Sequence, residues 1–384
     1  MNPIFADIPT TIFETMSRLA GQHQAINLGQ GFPDDPGPED VRRAAADATM
    51  TGWNQYPPMM GLPALREAIA AHYKRFHALD LNWETEVMVT SGATEALAGS
   101  LLALIEPGDE VVLFQPMYDA YLPLVKRAGG VPKFVTLRPP HWRLDEDALK
   151  AAFSPKTKAV IFNNPLNPTA TIFPREDLEL LGRYLEKYDA VAICDEVWEH
   201  VLFDGLSHTP LMALPGLRER CIKIGSAGKI FSLTGWKVGF VCAAPALMKV
   251  LAKAHQFITF TTPPNLQAAV AYGLAKDDAY FLDMRRELQA ARDRFAGGLA
   301  AAGLDVLPSK ATYFLNIDLA TVSNDLDDAA WCTRLVSEAG VAAIPVSAFY
   351  AADHVRSVVR FCFAKTTDKL DGAVERIAGF VKRG

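Results

Sequence analysis

The chain has 384 residues, and half of them are hydrophobic. This length exceeds the roughly 250 to 300 residues at which a single hydrophobic core stops growing. It therefore predicts a globular protein with two lobes. The formal net charge of −6 and the lack of a block rich in lysine and arginine argue against a nucleic-acid partner, because such a partner requires a basic surface.

The cysteines and the N-terminus bear on the cellular compartment. The five cysteines are scattered, odd in number and mostly embedded in apolar runs, which favours neither a disulfide framework nor a metal site. Residues 1–7 lack the basic and apolar regions of a signal peptide, and no apolar stretch reaches the roughly 18 to 20 residues of a membrane span. We therefore expect a cytoplasmic protein without a membrane partner.

Between about residues 60 and 270, short apolar runs alternate with longer amphipathic stretches. This alternation predicts an α/β lobe in which a mostly parallel sheet is flanked by helices. The predicted strands span residues 87–90, 110–114, 158–163, 191–195, 221–224 and 238–243. The predicted helices between them include residues 62–76, 94–104 and 175–188. Several strands are continuously apolar, as expected when helices cover both faces of the sheet.

The C-terminal part of the chain predicts a smaller α+β lobe. Its helical stretches span residues 284–301 and 329–339, its strand-like runs span residues 313–318 and 358–364, and a terminal helix follows. Residues 1–45 show no strand pattern that would extend the large sheet. We predict an N-terminal arm and part of the small domain at 1–45, a large domain at 46–280 and a small domain at 281–384.

Two segments in the first hundred residues contain glycines that suggest ligand contacts. Residues 26–34 could be taken for the start of a dinucleotide-binding fingerprint, but its third glycine is absent and Pro33 disfavours a following helix. Residues 91–97 follow an apolar strand and open a helix, so backbone N–H groups and the helix dipole would face an anion. In isolation, an ordinary helix N-cap is the favoured interpretation of this second segment.

Three further polar residues lie at strand ends or inside an apolar strand. Asn167 follows a strand between two X-Pro steps, which could present its amide at the carboxyl edge of the sheet or simply form a turn. Asp195 ends a strand, where a free carboxylate is costly unless it is paired; a metal ligand or helix cap is the alternative. Arg360 is a lone cation in an apolar strand and requires either a bound carboxylate or a structural ion pair.

Lys229 is the most informative residue of the chain. It lies in residues 226–239, a run of small residues directly after an apolar segment, where an amine could be held out of bulk water and made nucleophilic. Ser226 and Lys237 in the same run offer a hydroxyl and a cation that suit a phosphate group. The alternative is an ordinary surface lysine in a loop.

These segments, in their order along the chain, resemble those of class I aminotransferases, which depend on pyridoxal 5′-phosphate. The resemblance implies that Lys229 binds the cofactor covalently and then acts as general acid and base. It implies that Asn167 hydrogen-bonds the phenolic oxygen of the cofactor and that Asp195 pairs with its protonated ring nitrogen. The remaining implied cofactor contacts come from Gly92, Ala93, Thr94, Ser226 and Lys237 to the phosphate and from Tyr118 to the ring.

The resemblance also implies substrate contacts and a homodimer. Arg360 would bind the substrate α-carboxylate, and Gly31 would lie against the bound amino acid. Phe13, placed by spacing alone, would line the side-chain pocket. Tyr56 would reach across the dimer interface to the phosphate bound by the partner subunit, although a lone tyrosine is more simply a packing residue.

Two positions depart from the family pattern. Lys237 stands where many members have arginine, so a point charge replaces a bidentate contact. Trp198 stands where most members have a tyrosine that contacts the phenolic oxygen, and an indole N–H donates but does not accept. We expect Trp198 to lie against the cofactor and to change its electronic tuning.

The implied function is ping-pong transamination of an apolar, aromatic or sulfur-containing amino acid, for example a methionine-, phenylalanine- or kynurenine-like one, with a 2-oxo acid. Residues 27–34, 235–239 and 343–347 resemble the kynurenine and glutamine transaminase branch, especially bacterial methionine aminotransferases. A β-lyase acting on cysteine conjugates would use the same lysine and release pyruvate and ammonia. A non-enzymatic regulator would normally carry an added DNA-binding domain, for which this chain has no room.

Overall fold

A computed structural model describes residues 2–6, 8–321, 327–352 and 354–383 of the protein. Parts of the predicted arm and small domain, at residues 1, 7, 322–326, 353 and 384, lie outside the described residues. The strands are β1 (Ile26–Asn27), β2 (Val87–Thr90), β3 (Glu110–Gln115), β4 (Val131–Thr136), β5 (Thr157–Asn163), β6 (Val191–Asp195), β7 (Cys221–Ser226), β8 (Gly239–Ala243), β9 (Asp305–Val306), β10 (Phe314–Asp318), β11 (Val341–Ala342), β12 (Ile344–Pro345) and β13 (Val358–Cys362).

The α-helices lie between and around these strands. They are α1 (Pro3–Ala6), α2 (Ile12–Gln22), α3 (Glu39–Thr51), α4 (Pro63–His77), α5 (Trp83–Glu86), α6 (Gly92–Leu104), α7 (Tyr121–Arg127), α8 (Glu146–Ala152), α9 (Arg175–Lys187), α10 (Ala227–Ile230), α11 (Pro245–Ile258), α12 (Pro264–Leu274), α13 (Asp278–Ala301), α14 (Asp328–Arg334) and α15 (Thr367–Val381). Short 3₁₀ segments occur at Leu211–Ala213, Arg218–Arg220, Thr234–Trp236, Leu319–Thr321 and Val346–Phe349, and a π-helical turn at Leu335–Ala339.

A seven-stranded sheet with the order β2-β8-β7-β6-β5-β3-β4 forms the centre of the large lobe. The strands from β3 to β7 run parallel to their neighbours, whereas β8 pairs antiparallel with both β7 and β2. Successive residues of β3 belong to different apolar clusters, with Val111 and Leu113 in one and Val112 and Phe114 in the other. This alternation places a core on each face of the sheet, as expected for continuously apolar strands.

The second lobe contains a four-stranded antiparallel sheet with the order β12-β13-β10-β9. Helices α13 and α15 pack against each other in this lobe. The short strand β1 of the N-terminal segment pairs in parallel with β11, outside the large sheet. The predicted α/β class with a smaller α+β lobe is confirmed, while the boundaries at 45/46 and 280/281 stay a prediction.

The predicted elements agree with the structure within a few residues, except that α13 begins at Asp278, six residues before the predicted start. Two other differences concern β4 and the helix predicted at 329–339. Strand β4 was not predicted, because Pro132 and Lys133 interrupt its apolar pattern; it lies at the edge of the sheet, where such residues are tolerated. The single helix predicted at 329–339 is α14 followed by a π-helical turn that ends at Gly340 with φ of 65°. No helix in the described part of the chain combines the length and the apolar character of a membrane span.

Candidate active site

The strand register places several predicted site residues at one edge of the large sheet. Asn163 at the end of β5 pairs with Asp195 at the end of β6. Gly239, which begins the antiparallel strand β8, pairs with Ser226 on one side and with Thr90 on the other. The loops that follow β2, β5, β6 and β7 therefore open at the edge where ligands bind in parallel α/β sheets.

A cavity of about 200 Å³ lies at this edge. Ten of the residues predicted from the sequence line it: Gly92, Ala93, Thr94, Tyr118, Asn167, Asp195, Trp198, Ser226, Lys229 and Lys237. The other four, which are Phe13, Gly31, Tyr56 and Arg360, do not line it. The sequence segments that resemble cofactor-binding motifs thus meet in space, although they span almost 150 residues of the chain.

Lys229 lies in the single turn of α10, directly after β7, and is partly buried because one side faces the cavity. Its Nζ donates a hydrogen bond to the hydroxyl of Tyr313 at 3.0 Å and lies 4.6 Å from the centre of the Trp198 ring. Burial lowers the pKa of Lys229 to about 8; Cys362 and Asp195 act to raise it, while Arg360 and Lys237 act to lower it further. A substantial share of this amine is therefore neutral and nucleophilic near pH 8.

Asp195 presents a buried carboxylate with one oxygen still available. Its Oδ2 accepts a hydrogen bond from the Tyr121 hydroxyl at 2.5 Å, while Oδ1 is buried without a partner among the described residues. Burial raises the pKa of Asp195 in spite of the hydrogen bond from Tyr121. A buried acceptor that lines the cavity and lacks a donor suits a protonated ring nitrogen, because a cationic N–H would both pair it and compensate its charge.

The opening of α6 and the residues before β8 form a cradle for an anion. Gly92 has φ of +80°, and a Cβ at this position would lie 3.0 Å from Cε and 3.2 Å from Nζ of Lys237. A Cβ on Gly239 would lie 2.5 Å from the carbonyl carbon of Gly92, so glycine permits the close approach of β8 to α6. A lysine amine next to the N-terminus of a helix fits a phosphate dianion. The site therefore has an acceptor suited to the ring nitrogen of pyridoxal phosphate, at Asp195, and a cation and a helix N-terminus suited to its phosphate.

Arg360 on β13 is a buried cation whose hydrogen-bond acceptors are neutral. Its Nη1 donates to Oδ1 of Asn167 at 2.9 Å and its Nη2 to the carbonyl oxygen of Gly29 at 3.0 Å, while Nε has no partner. No carboxylate within the described ranges forms an ion pair with it. Burial lowers the pKa of Arg360 to about 10. A buried guanidinium without an anion is costly, and a carboxylate ligand would satisfy it.

Aromatic rings surround the guanidinium of Arg360. Its central carbon lies 4.0 Å from the ring centre of Phe314, 5.2 Å from that of Phe349 and 5.3 Å from that of Phe13. Phe13 lies on α2 and packs edge-to-face on Phe349 at 5.7 Å. These rings create an apolar environment beside the cation, which suits a ligand that joins a carboxylate to an apolar group.

The remaining predicted residues differ in how close they come to the cavity. The carbonyl oxygen of Gly31 accepts a hydrogen bond from Tyr313 at 2.7 Å, which connects it to Lys229 through one side chain. Tyr118 lines the cavity; burial raises its pKa to about 12, although a hydrogen bond with Thr94 acts in the opposite direction. Tyr56 is 81% exposed, packs edge-to-face on Phe260 and does not reach the cavity of its own chain.

Sequence inspection missed Tyr121 and Tyr313, the two hydroxyl groups in direct contact with Asp195 and Lys229. Tyr121 begins α7, and Tyr313 directly precedes β10. Both lie in apolar surroundings that identify them as core residues, and their side chains are buried. No local pattern marks their hydroxyls as functional, because the contacts join segments 74 and 84 residues apart.

Comparisons with known proteins identify close relatives. Residues 23–377 match the family model described as Aminotransferase class I and II. Methionine aminotransferase of Escherichia coli (strain K12) is 42% identical over 96% of this chain and 95% of its own length. Kynurenine–oxoglutarate transaminase 1 of Homo sapiens is 34% identical over 94% of this chain and 93% of its own. The structure of N-succinyldiaminopimelate aminotransferase from Mycobacterium tuberculosis superposes with a TM-score of 0.95 at 42% identity, covering 99% of each chain.

Proposed function

The chain belongs to the family of class I and class II aminotransferases and depends on pyridoxal 5′-phosphate, and from that premise we propose its substrates and site roles. We propose transamination of an apolar, aromatic or sulfur-containing amino acid, methionine-, phenylalanine- or kynurenine-like, with a 2-oxo acid as acceptor. The observation that carries this proposal is Arg360, a buried cation without a carboxylate partner among the described residues, surrounded by three phenylalanine rings.

Bound pyridoxal phosphate supplies a ring that withdraws electrons and stabilises the negative charge that develops at the α-carbon of the substrate. We propose that Oδ1 of Asp195 holds the ring nitrogen in its protonated form, since this buried oxygen otherwise lacks a donor. Ser226, Lys237 and the N-terminus of α6 would hold the phosphate. Asn167 would orient the opposite side of the ring by hydrogen bonding, and Tyr118 would stack on it.

Lys229 is the proposed reacting amine. Its lowered pKa of about 8 leaves a neutral lone pair available near physiological pH, and that lone pair accepts the proton that leaves the α-carbon of the substrate. The same Nζ would then donate this proton to the C4′ carbon of the cofactor. One group therefore serves as base and acid because its pKa lies near the working pH.

The substrate side chain is proposed to be apolar because the cations at the site have other roles. Among the described residues that line the cavity, Lys229 and Lys237 are the only cations, and Arg360 donates a hydrogen bond to Asn167, which lines it. A substrate with a second carboxylate would require a further cation to compensate that charge. Methionine-like side chains instead fit the phenylalanine rings around Arg360.

We propose that the protein is a homodimer. Tyr56 and three apolar side chains near it in sequence or fold are unusually exposed: Met50 at 83%, Trp53 at 77% and Phe257 at 83%. Large exposed apolar groups indicate an interaction surface, and a second copy of the chain would cover them and bring Tyr56 to the partner's phosphate.

We also propose a cytoplasmic location. The five buried thiols are free, which supports this location.

The half-reaction with each amino donor tests the substrate proposal. The purified protein, loaded with pyridoxal phosphate, is mixed with methionine, phenylalanine, kynurenine, aspartate or N-succinyldiaminopimelate, and conversion of the cofactor to its amine form is followed by absorbance. We expect fast conversion with the first three donors and slow conversion with the last two. Faster reaction with either of the last two donors, both of which carry at least one carboxylate besides the α-carboxylate, would contradict the proposed specificity. Pyruvate and ammonia from a cysteine conjugate would indicate a β-lyase instead.

A further inference from the structure

The phenol of Tyr313 lies between two groups that are far apart in the sequence. The Tyr313 side chain is 1% exposed. Its hydroxyl oxygen lies 3.0 Å from Nζ of Lys229 and 2.7 Å from the carbonyl oxygen of Gly31. The hydroxyl therefore connects the lysine to the N-terminal segment between β1 and α3.

The two hydrogen bonds have one consistent set of directions. A carbonyl oxygen accepts and never donates, so the single hydroxyl proton of Tyr313 is directed to Gly31. The hydroxyl oxygen must then accept from the amine of Lys229. Burial raises the pKa of Tyr313 well above its usual value, so the phenol keeps its proton near neutral pH. Tyr313 is thus fixed as an acceptor toward Lys229.

This bond restricts the orientation of the amine. When one N–H of a neutral Lys229 is directed to Tyr313, the lone pair and the second hydrogen must point elsewhere. The Trp198 ring covers another side, since its centre lies 4.6 Å from Nζ and it packs edge-to-face on Tyr313 at 4.4 Å. The side left for the lone pair is the one that faces the cavity.

We propose that Tyr313 is a positioning residue, whose hydroxyl holds the Lys229 amine and turns its lone pair toward the cavity. The inference rests on the proposed role of Lys229 as the reacting amine. Trp198 cannot supply this acceptor, because an indole N–H donates but does not accept. The phenol oxygen beside the lysine comes from the residue directly before β10, in the small lobe, instead of from the loop after β6.

The pKa of Lys229 in the cofactor-free protein tests this proposal. It is measured from the pH dependence of competitive acetylation, read by mass spectrometry of the peptide that contains Lys229. An acceptor stabilises an ammonium more than an amine, so Tyr313→Phe should lower this pKa by about one pH unit. The titratable groups that also act on the amine are Asp195, Cys362, Arg360 and Lys237, and all of them remain in both proteins, as does the Trp198 ring.

A second readout separates positioning from substrate binding. In the loaded enzyme, Tyr313→Phe should lower kcat about ten-fold while KM changes less than about two-fold. The matched control is Tyr184→Phe in α9, which removes a tyrosine hydroxyl that donates to the carbonyl oxygen of Glu146 at 3.4 Å, away from the site. We expect this control to change neither the pKa of Lys229 nor kcat.

A Lys229 pKa in folded Tyr313→Phe equal to that of the wild type overturns the proposal. If that variant does not fold, 3-fluorotyrosine at position 313 keeps the ring and the hydroxyl but weakens the oxygen as an acceptor. A smaller fall of the Lys229 pKa is then expected, and no fall overturns the proposal. Borohydride trapping of the cofactor on Lys229 in the wild type is a separate test, so failure of the lysine's role is distinguished from failure of Tyr313's role.

Discussion

Lys223 and Lys229 lie six residues apart in the sequence, yet their surroundings differ sharply. Lys223 in β7 is 1% exposed, and its Nζ lies 2.9 Å from Oε2 of Glu196 and 2.6 Å from Oε2 of Glu199. Lys229 contacts the hydroxyl of Tyr313 and the ring of Trp198. One lysine is therefore paired with two carboxylates, while the other contacts only neutral groups.

The pKa values of these lysines follow their partners. Burial acts to lower the pKa of both. At Lys223 the two glutamates outweigh burial and raise the pKa, whereas at Lys229 the pKa falls to about 8. A buried lysine with carboxylate partners therefore stays protonated in the folded protein near neutral pH. One without them is an amine that can exchange protons.

The largest expected effect is the loss of activity in Lys229→Ala. Removal of the proposed nucleophile and proton carrier should lower kcat by at least about 10³-fold, because no other described amine lies at the same place. Turnover is measured with the preferred donor and a 2-oxo acid. Lys74→Ala is the control, since its side chain is 70% exposed, and it should leave kcat unchanged. Retention of more than a small fraction of activity in Lys229→Ala would refute the proposed role.

The second prediction concerns stability and separates the two lysines directly. Lys223→Met leaves Glu196 and Glu199 buried without their cation and should lower the free energy of unfolding by about 3 to 5 kcal/mol. At pH 7, Lys229→Met removes a cation that burial disfavours and that has no carboxylate contact, so this variant should be at least as stable as the wild type. Urea unfolding of the cofactor-free proteins measures both. Equal destabilisation by the two substitutions would mean that the comparison is wrong.

The pH dependence of stability sharpens the comparison further. The folded-state pKa of Lys229 is about 8, below the 10.5 of an ordinary lysine, so the unfolded chain binds more protons between these values. Stability must then rise with pH across this window, by about 1 to 2 kcal/mol after allowance for solvent in the cavity. Lys223 has a raised pKa, so its stabilisation is fully present below pH 10.5 and is lost only as pH rises further.

The measurement is the free energy of unfolding of the cofactor-free wild type minus that of Lys229→Met, at several values between pH 7 and pH 10. This difference removes the contributions of other titrating groups that the two proteins share. We expect the difference to increase with pH. A flat difference would indicate that Lys229 in the folded protein titrates like an unfolded lysine.

Much of the site could be predicted because its main residues lie in local patterns. Asp195, Ser226 and Lys229 follow apolar strands, so strand prediction alone places them at one sheet edge. Arg360 was identified as a buried cation that needs a partner. The sequence could not reveal that its donors reach Asn167 and Gly29, because these contacts depend on how the two lobes pack.

The features that could not be predicted from the sequence are set mainly by contacts between distant segments of the chain. Tyr121 and Tyr313 have no sequence pattern that distinguishes their hydroxyls from those of other core tyrosines. The same holds for Lys223, which lies in an apolar strand and meets two glutamates from the loop after β6. Strand β4 escaped because an edge strand can carry Pro132 and Lys133.

The smallest expected effect belongs to Trp198, whose ring face contributes to the environment of Lys229. At a partly exposed site a cation near an indole gains about 0.5 to 1 kcal/mol, so Trp198→Leu should lower the pKa of the Lys229 amine by less than about one pH unit, and Trp198→Phe by less still. Competitive acetylation of the cofactor-free proteins measures both. Trp83→Leu, which removes a ring 5.3 Å from Arg66, is the matched control and should leave Lys229 unchanged.

A Lys229 pKa that Trp198→Leu leaves unchanged would contradict a role for the ring. The difference between Lys229 and Lys223 would then depend on hydrogen-bond acceptors alone, with one hydroxyl at the first and two carboxylates at the second. A fall that is larger in Trp198→Leu than in Trp198→Phe would instead show that the aromatic face stabilises the ammonium. In that case tryptophan at this position raises the pKa of the reacting amine toward the range in which it can both accept and donate a proton.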